Sequence, residues 1–291
     1  PSVYESCEVT GVLRADIAEQ LGLNAGTIVV GGAGDNAAAA IGTGVCAEGR
    51  AFTTIGTSGV VFAHTPSVSI DPEGRVHTCC AAVPGEWHIM GVTQAAGLSL
   101  KWFRDNFCGA EKDTAALMDV DEYYLMDKEA ETVPIGAERL LYLPYLMGER
   151  TPHLDPDARG VFFGMSMDTS RADMTQAVLE GVAFALRDSL EVAKSLGIKI
   201  ERTKICGGGA KSPLWKQIIA NVSDMMACGG GGTSPLWRSM LADLYGCEVK
   251  TPASKEGPAL GAALLASVGA GIYGSVPEAV KAVVRTDKVC Q

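Results

Sequence analysis

Glycine falls in runs at the ends of short β-branched segments, and this placement constrains the chain more than any other feature. Gly31-Gly32-Ala33-Gly34 follows Thr27-Ile28-Val29-Val30, Gly207-Gly208-Gly209 follows Thr203-Lys204-Ile205-Cys206, and a third run fills 229–232. Glycine makes up 35 of 291 residues, about 12% against a typical ~7%. Clustered in this way, it marks tight turns and close ligand approach rather than a flexible low-complexity chain.

Between the glycine runs the pattern alternates. Thr27 to Val30 reads as a buried strand, and Asp35-Asn36 with the alanines after them reads as the start of a helix. Residues 51–55 and 60–63 read as two strands joined by Gly56-Thr57-Ser58-Gly59, a hairpin whose tip offers amides and hydroxyls. Residues 94–107 are expected to be helical, with Leu98, Trp102 and Phe103 near one face. Residues 113–128 are mixed and helical in part, and 141–144 read as a strand before a polar loop over 148–159. The clearest helix is 173–196, where Val178, Val182, Leu186, Leu190 and Ala193 recur at helical spacing. Strand 200–206 runs into the second glycine turn, Ser212-Pro213 opens a helix, and Gly257-Pro258 opens another over 259–268. Strands alternating with helices, with glycines at the strand ends, predict an α/β fold whose ligand lies at the strand C-termini.

Composition narrows the function. Apolar residues at 47% and charged residues at 20% suit a soluble globular protein. A formal charge of −10 with no polybasic run argues against nucleic acid as a partner. An anionic nucleotide remains compatible, because backbone amides bind phosphate locally. No apolar run reaches the ~20 residues needed to span a bilayer, so no membrane partner is expected. The nine cysteines include no C-x-x-C, and Cys79-Cys80 are adjacent. That scatter predicts reduced, mostly buried thiols in a cytoplasmic protein. The chain opens on Pro1 rather than methionine, so its natural start is expected upstream.

One segment occurs twice. Cys206-Gly207-Gly208-Gly209-Ala210-Lys211-Ser212-Pro213-Leu214-Trp215 returns 22 residues later as Cys228-Gly229-Gly230-Gly231-Gly232-Thr233-Ser234-Pro235-Leu236-Trp237. Lys216, Ile219, Ala220 and Asn221 continue the match to Arg238, Leu241, Ala242 and Asp243. Twenty-two residues make one strand–turn–helix unit, which reads as a local tandem duplication, in nature or in the reading of the gene.

Phosphoryl transfer to a hydroxyl needs amides for phosphates, a metal to offset charge and a carboxylate to take the proton. The glycine turns and Asp35 supply a candidate set. On local sequence alone, however, Asp35 reads more readily as a helix N-cap. The Gly56 turn could be an ordinary hairpin. Gly207-Gly208-Gly209 could serve only close packing, since it fits neither the dinucleotide nor the Walker spacing. His153 could touch a substrate, though a loop histidine is more often structural, and Trp215 and Trp237 read as core.

Longer motifs add a resemblance. Gly160-Val161-Phe162-Phe163-Gly164-Met165, seven residues, then Asp173-Met174 and Ala177-Val178-Leu179-Glu180 is similar to the second signature of the FGGY carbohydrate kinases. Leu143-Pro144-Tyr145-Leu146-Met147-Gly148-Glu149-Arg150-Thr151-Pro152-His153-Leu154-Asp155-Pro156 resembles the xylulose kinase branch of that family. So do Val3-Tyr4-Glu5 and Gly31-Gly32-Ala33-Gly34-Asp35-Asn36-Ala37. The resemblance implies an actin-like, ribonuclease-H-like ATPase domain using ATP and Mg2+ to phosphorylate a sugar, D-xylulose first among them. It implies that Asp35 is the catalytic base, displacing the cap reading, and that Asp35 and Asn36 face the sugar. Gly56, Thr57 and Ser58 correspond to a phosphate hairpin, Gly97 and Lys101 to a helix approaching the nucleotide, and Gly208, Gly209 and Ser212 to the adenosine turn. No side-chain metal site is implied.

Residues 1–45 are then the tail of an N-terminal half and 46–291 the nucleotide-binding domain, with the repeat over 206–244. The rest of the N-terminal half, with most sugar contacts, is expected to be absent and is the implied missing partner. The fragment alone is expected to be inactive, and a homodimer is left open. Either repeat copy could hold adenine, the first being favoured by Ala210-Lys211.

Overall fold

In the computed structural model, residues 2–223, 226–229, 249–252, 257–284 and 286–290 are described. The second copy of the glycine turn beyond Gly229, Trp237 included, lies outside them. The central element is a mixed six-stranded sheet. Its strands are β3 (Gly49–Ile55), β4 (Gly59–Thr65), β5 (His77–Cys80), β6 (Trp87–Thr93), β9 (Ile200–Cys206) and β10 (Met226–Gly229), in the order β10-β9-β3-β4-β6-β5. β3, β4, β6 and β5 pair antiparallel, whereas β9 lies parallel to β3 and β10 parallel to β9.

Helices cover both faces, as an interior sheet requires. Strand alternation sends successive residues to opposite faces. Ile55, Val61 and Ile205 pack with Val178, Val182 and Leu186 of α6 (Arg171–Ser195). On the other face Phe52 and Phe62 pack with Ala40 of α2 (Asp35–Thr43). Five of the apolar positions expected on the long helix, Val178, Val182, Leu186, Leu190 and Ala193, are buried. That helix starts two residues before the expected point because Ser170 and Asp173 form a capping box.

α2 is backed by α8 (Gly257–Gly269), which is followed by α9 (Val276–Val283). Small residues let the helices touch through backbone. A Cβ on Gly42 would overlap the Gly257 carbonyl, and one on Gly261 would overlap that of Ala38. β1 (Val9–Val12) and β2 (Ile28–Val30), flanking α1 (Ala15–Leu21), form a separate antiparallel ribbon. β1 is exposed along its whole length. β7 (Leu141–Leu143) pairs with β8 (Val161–Phe163), and β11 (Val249–Pro252) with β12 (Thr286–Cys290).

The expected elements needed correction in three places. The helix expected over 94–107 is α3 (Gly97–Phe107), because residues before it turn to meet the hairpin. The mixed 113–128 region is two helices, α4 (Gly109–Met118) and α5 (Glu122–Ala130), separated where Asp119 takes a left-handed φ of 54°. The thiols are not mostly buried. Among the described free cysteines only Cys108 is buried, while Cys79 and Cys80 are exposed because β5 is an edge strand. Among the described residues no helix is long and apolar enough to cross a membrane.

Candidate functional site

β3 and β4 meet at Gly56-Thr57-Ser58, where Gly56 N–H donates to Ser58 O at 3.1 Å. The start of α3 is bonded to this tip. Ala96 and Leu98 donate to Thr57 O at 3.0 and 3.2 Å, and Gly97 donates to Gly56 O at 2.7 Å. Helix-start amides lack partners within their own helix, so these bonds satisfy them and fix the hairpin at once. Gly97 is needed here, since a Cβ would run into the Gly56 carbonyl. Ser58 Oγ adds a bond to Gln94 O at 3.2 Å. Among the described residues the N–H groups of Thr57 and Ser58 have no protein acceptor. Two free amides therefore stand at the positive end of the α3 dipole. Lys101 stands exposed one turn along the same helix face.

The second turn leaves β9 beside the first. Thr54 and Cys206 are register partners, so Gly207 emerges against Ile55, the last residue of β3. A Cβ on Gly207 would lie 2.5 Å from Ile55 O, and one on Gly209 would lie 2.5 Å from Ile55 Cγ2. After a 3-10 turn, Gly208–Lys211, the Ser212 hydroxyl accepts the N–H of Trp215 at 3.0 Å at the start of α7 (Pro213–Ser223). Trp215 is 2% exposed, and its indole N–H donates to Leu179 O at 3.0 Å, which places it in the core. The phosphate-hairpin candidates Gly56, Thr57, Ser58 and Gly97 and the adenosine-turn candidates Gly208, Gly209 and Ser212 are thus gathered at one end of the sheet.

Asp35 and Asn36 stand on a different element. The N-cap of α2 is Gly34, no side chain caps the helix, and Asp35 is its first residue. The local cap reading fails for that reason: the Asp35 carboxylate bonds only the next N–H, that of Asn36, at 2.8 Å. It is exposed. His153 is exposed as well, and its Nε2 meets the Tyr145 hydroxyl at 2.9 Å. Burial pushes that phenol up to about 12.

Two carboxylates escaped selection from sequence. Glu149 is 3% exposed and accepts the Thr93 hydroxyl at 2.5 Å and the N–H groups of Gln94 and Arg150 at 2.9 and 2.7 Å. It ties the loop after β7 to Gln94, which in turn holds Ser58. Asp127 on α5 is buried, and burial raises its carboxyl to about 6. The Thr93 and Gln94 partners of Glu149 lie far off in sequence, and burial of Asp127 is set by the packing of its helix, so no local pattern signals them.

A sheet covered on both faces, with nucleotide-type turns at the ends of adjacent parallel strands, defines an actin-like ATPase domain. The fold matches the crystal structure of a xylulose kinase from Brucella ovis with TM-score 0.79 and 34% identity, covering 100% of this chain and 53% of that one. The model of the FGGY family of carbohydrate kinases, C-terminal domain, matches residues 51–227 and again 221–270, and that of the N-terminal domain matches 1–42. The chain belongs to the FGGY family of carbohydrate kinases. Each copy of the glycine-turn repeat falls in a different one of the two C-terminal matches. Xylulose kinase from Escherichia coli K12 is 39% identical over 77% of the chain and 44% of its own length. Xylulose kinase from Bacillus subtilis is 35% identical over 98% and 51%. The chain spans about half the length of these curated relatives.

Proposed function

We propose that the chain is the nucleotide-binding half of an ATP-dependent sugar kinase acting on D-xylulose, with Asp35 as general base. The observation that carries this reading is the hairpin tip. Its two unspent amides, Thr57 and Ser58, are locked against the start of α3 and stand beside the Gly207 turn. Such amides suit phosphate oxygens without any basic side chain. Gly208, Gly209 and Ser212 of the first repeat copy would hold the adenosine, and Lys101 would approach the phosphates.

Asp35, exposed and free of capping, can accept the proton of a sugar hydroxyl as it attacks phosphorus. Asn36 would help to orient the sugar. Among the described residues no group of three or more His, Cys, Asp or Glu is arranged to hold a metal. Mg2+, carried on the nucleotide phosphates, would offset their charge.

Residues 1–45 belong, in this reading, to the tail of an N-terminal domain and 46–291 to the nucleotide domain. The exposed β1 ribbon and the family match over 1–42 support that division. The sugar contacts come mostly from the N-terminal domain, so the chain alone binds ATP and transfers little. The test is a coupled assay with ATP, Mg2+ and a panel of D-xylulose, gluconate and glycerol. It is run on this chain and on the chain joined to a complete N-terminal FGGY domain. Turnover on D-xylulose restricted to the joined form is expected; comparable turnover in both, or preference for another sugar, would overturn the reading.

A further inference from the structure

We infer that Glu149 is a positioning residue for the nucleotide phosphates, holding the Thr57 and Ser58 amides in place through the link between β6 and α3. The inference rests on the phosphate role proposed for that hairpin tip. Residues 94–96 form the link, and they hold both residues of the tip. Ala96 N–H donates to Thr57 O at 3.0 Å, and the Ser58 hydroxyl donates to Gln94 O at 3.2 Å. Glu149 fixes the other side of Gln94, accepting its N–H at 2.9 Å. The second carboxylate oxygen accepts the Thr93 hydroxyl at 2.5 Å. Thr93 is the register partner of Gly59, the residue that follows Ser58, and a Cβ on Gly59 would lie 2.6 Å from the Thr93 methyl carbon. With its hydroxyl drawn to Glu149, Thr93 keeps that methyl against Gly59. One side chain thus acts on the tip by two routes, through Gln94 and through Thr93.

The loop that carries Glu149 is seated without it. Glu149 and Asp155 exchange two backbone bonds, at 2.8 and 3.0 Å, which close the base of the loop. Thr151 pairs with the last residues of β6: its N–H donates to Val92 O at 3.0 Å, and its hydroxyl oxygen accepts Val92 N–H at 3.0 Å. The same hydroxyl donates to Arg75 O at 2.7 Å. A buried charge is therefore not needed to dock this loop. At 3% exposure a carboxylate is stable only when donors surround it, and three do, Arg150 N–H at 2.7 Å being the third. Only that third bond stays within the loop. The other two reach the strand end and the link that carry the hairpin, and bonds to a carboxylate are shorter and stronger than those to a neutral acceptor.

Calorimetry on this chain with Mg-ATP and with adenosine tests this in wild type, Glu149→Ala, Glu149→Gln and Thr93→Val. Adenosine carries no phosphate, so a loss confined to ATP reports the hairpin rather than general damage to the fold. In Glu149→Ala, ATP affinity is expected to fall about tenfold while adenosine affinity stays within about twofold of wild type. Glu149→Gln keeps a carbonyl oxygen for the Gln94 and Arg150 amides, and its NH2 group can donate to the Thr93 hydroxyl, so ATP affinity returns to within about threefold of wild type. Thr93→Val removes one of the bonds and lowers ATP affinity about threefold. Unchanged ATP affinity in Glu149→Ala, an equal loss for adenosine, or a Glu149→Gln protein as weak as Glu149→Ala would overturn the inference while leaving the hairpin's role intact. If Glu149→Ala does not fold, unchanged ATP affinity in Thr93→Val overturns it. A wild type that binds ATP no more tightly than adenosine would remove the phosphates from the hairpin, and this inference with them.

Discussion

Gly207 and Gly208 are neighbours in sequence but meet different constraints. Gly207 has φ 87°, and a Cβ there would lie 2.5 Å from Ile55 O; a Cβ on Gly208 would meet nothing within 4 Å. Gly207→Ala is therefore expected to cost about 2–4 kcal/mol of stability, through strain and clash together. Gly208→Ala should leave the melting temperature nearly unchanged yet weaken ATP binding, if the backbone there approaches the nucleotide. Thermal melts beside calorimetry separate the two effects, and a Gly208→Ala protein with native affinity would remove that residue from the site.

Asp127 gives a stability signature of its own. Its carboxyl is raised from 3.8 to about 6 on folding, so the folded chain holds the proton more tightly than the unfolded one. The resulting stabilisation is complete below pH ~4 and is lost as pH rises through about 6, by up to about 3 kcal/mol. Asp127→Asn should flatten that part of the stability curve in urea titrations; an unaltered slope would mean another group carries it. The glycine runs were legible in sequence because backbone geometry demands that residue. Glu149 was not, because the hydroxyl and the amide it holds lie 56 and 55 residues away, at Thr93 and Gln94.

At the scale of elements, α2 carries Asp35 and is positioned by α8. The contact is backbone on backbone at Gly42 with Gly257 and at Gly261 with Ala38. Gly261→Val should push the helices apart, cost about 1–3 kcal/mol, and lower kcat more than it weakens ATP binding. A variant with normal kcat would show that α8 does not set Asp35. The sequence displayed α6 through its apolar period and α2 through its start, and these were read within two residues. It hid the boundary between α4 and α5, where only the left-handed Asp119 interrupts a continuous helical composition. It also hid the early residues of α3, whose amides bond a hairpin some 40 residues earlier.

For the whole molecule, the alternation of strands and helices announced an α/β fold, and the family motifs specified which one. Alternation alone suggests a parallel sheet, whereas four of the six strands form an antiparallel set joined to two parallel ones. Hairpins and crossovers look alike in local sequence, so only the pairing partners distinguish them. Residues 1–42 match the N-terminal family domain and hold the ribbon of β1 and β2; that two halves meet around Asp35 is the proposal to be tested. The most direct test is single-turnover phosphorylation of D-xylulose by the chain joined to an N-terminal FGGY domain, comparing wild type with Asp35→Asn. A fall in rate of at least about 100-fold with ATP affinity within about twofold of wild type is the expected result. A near-normal rate in Asp35→Asn would contradict its role as the base.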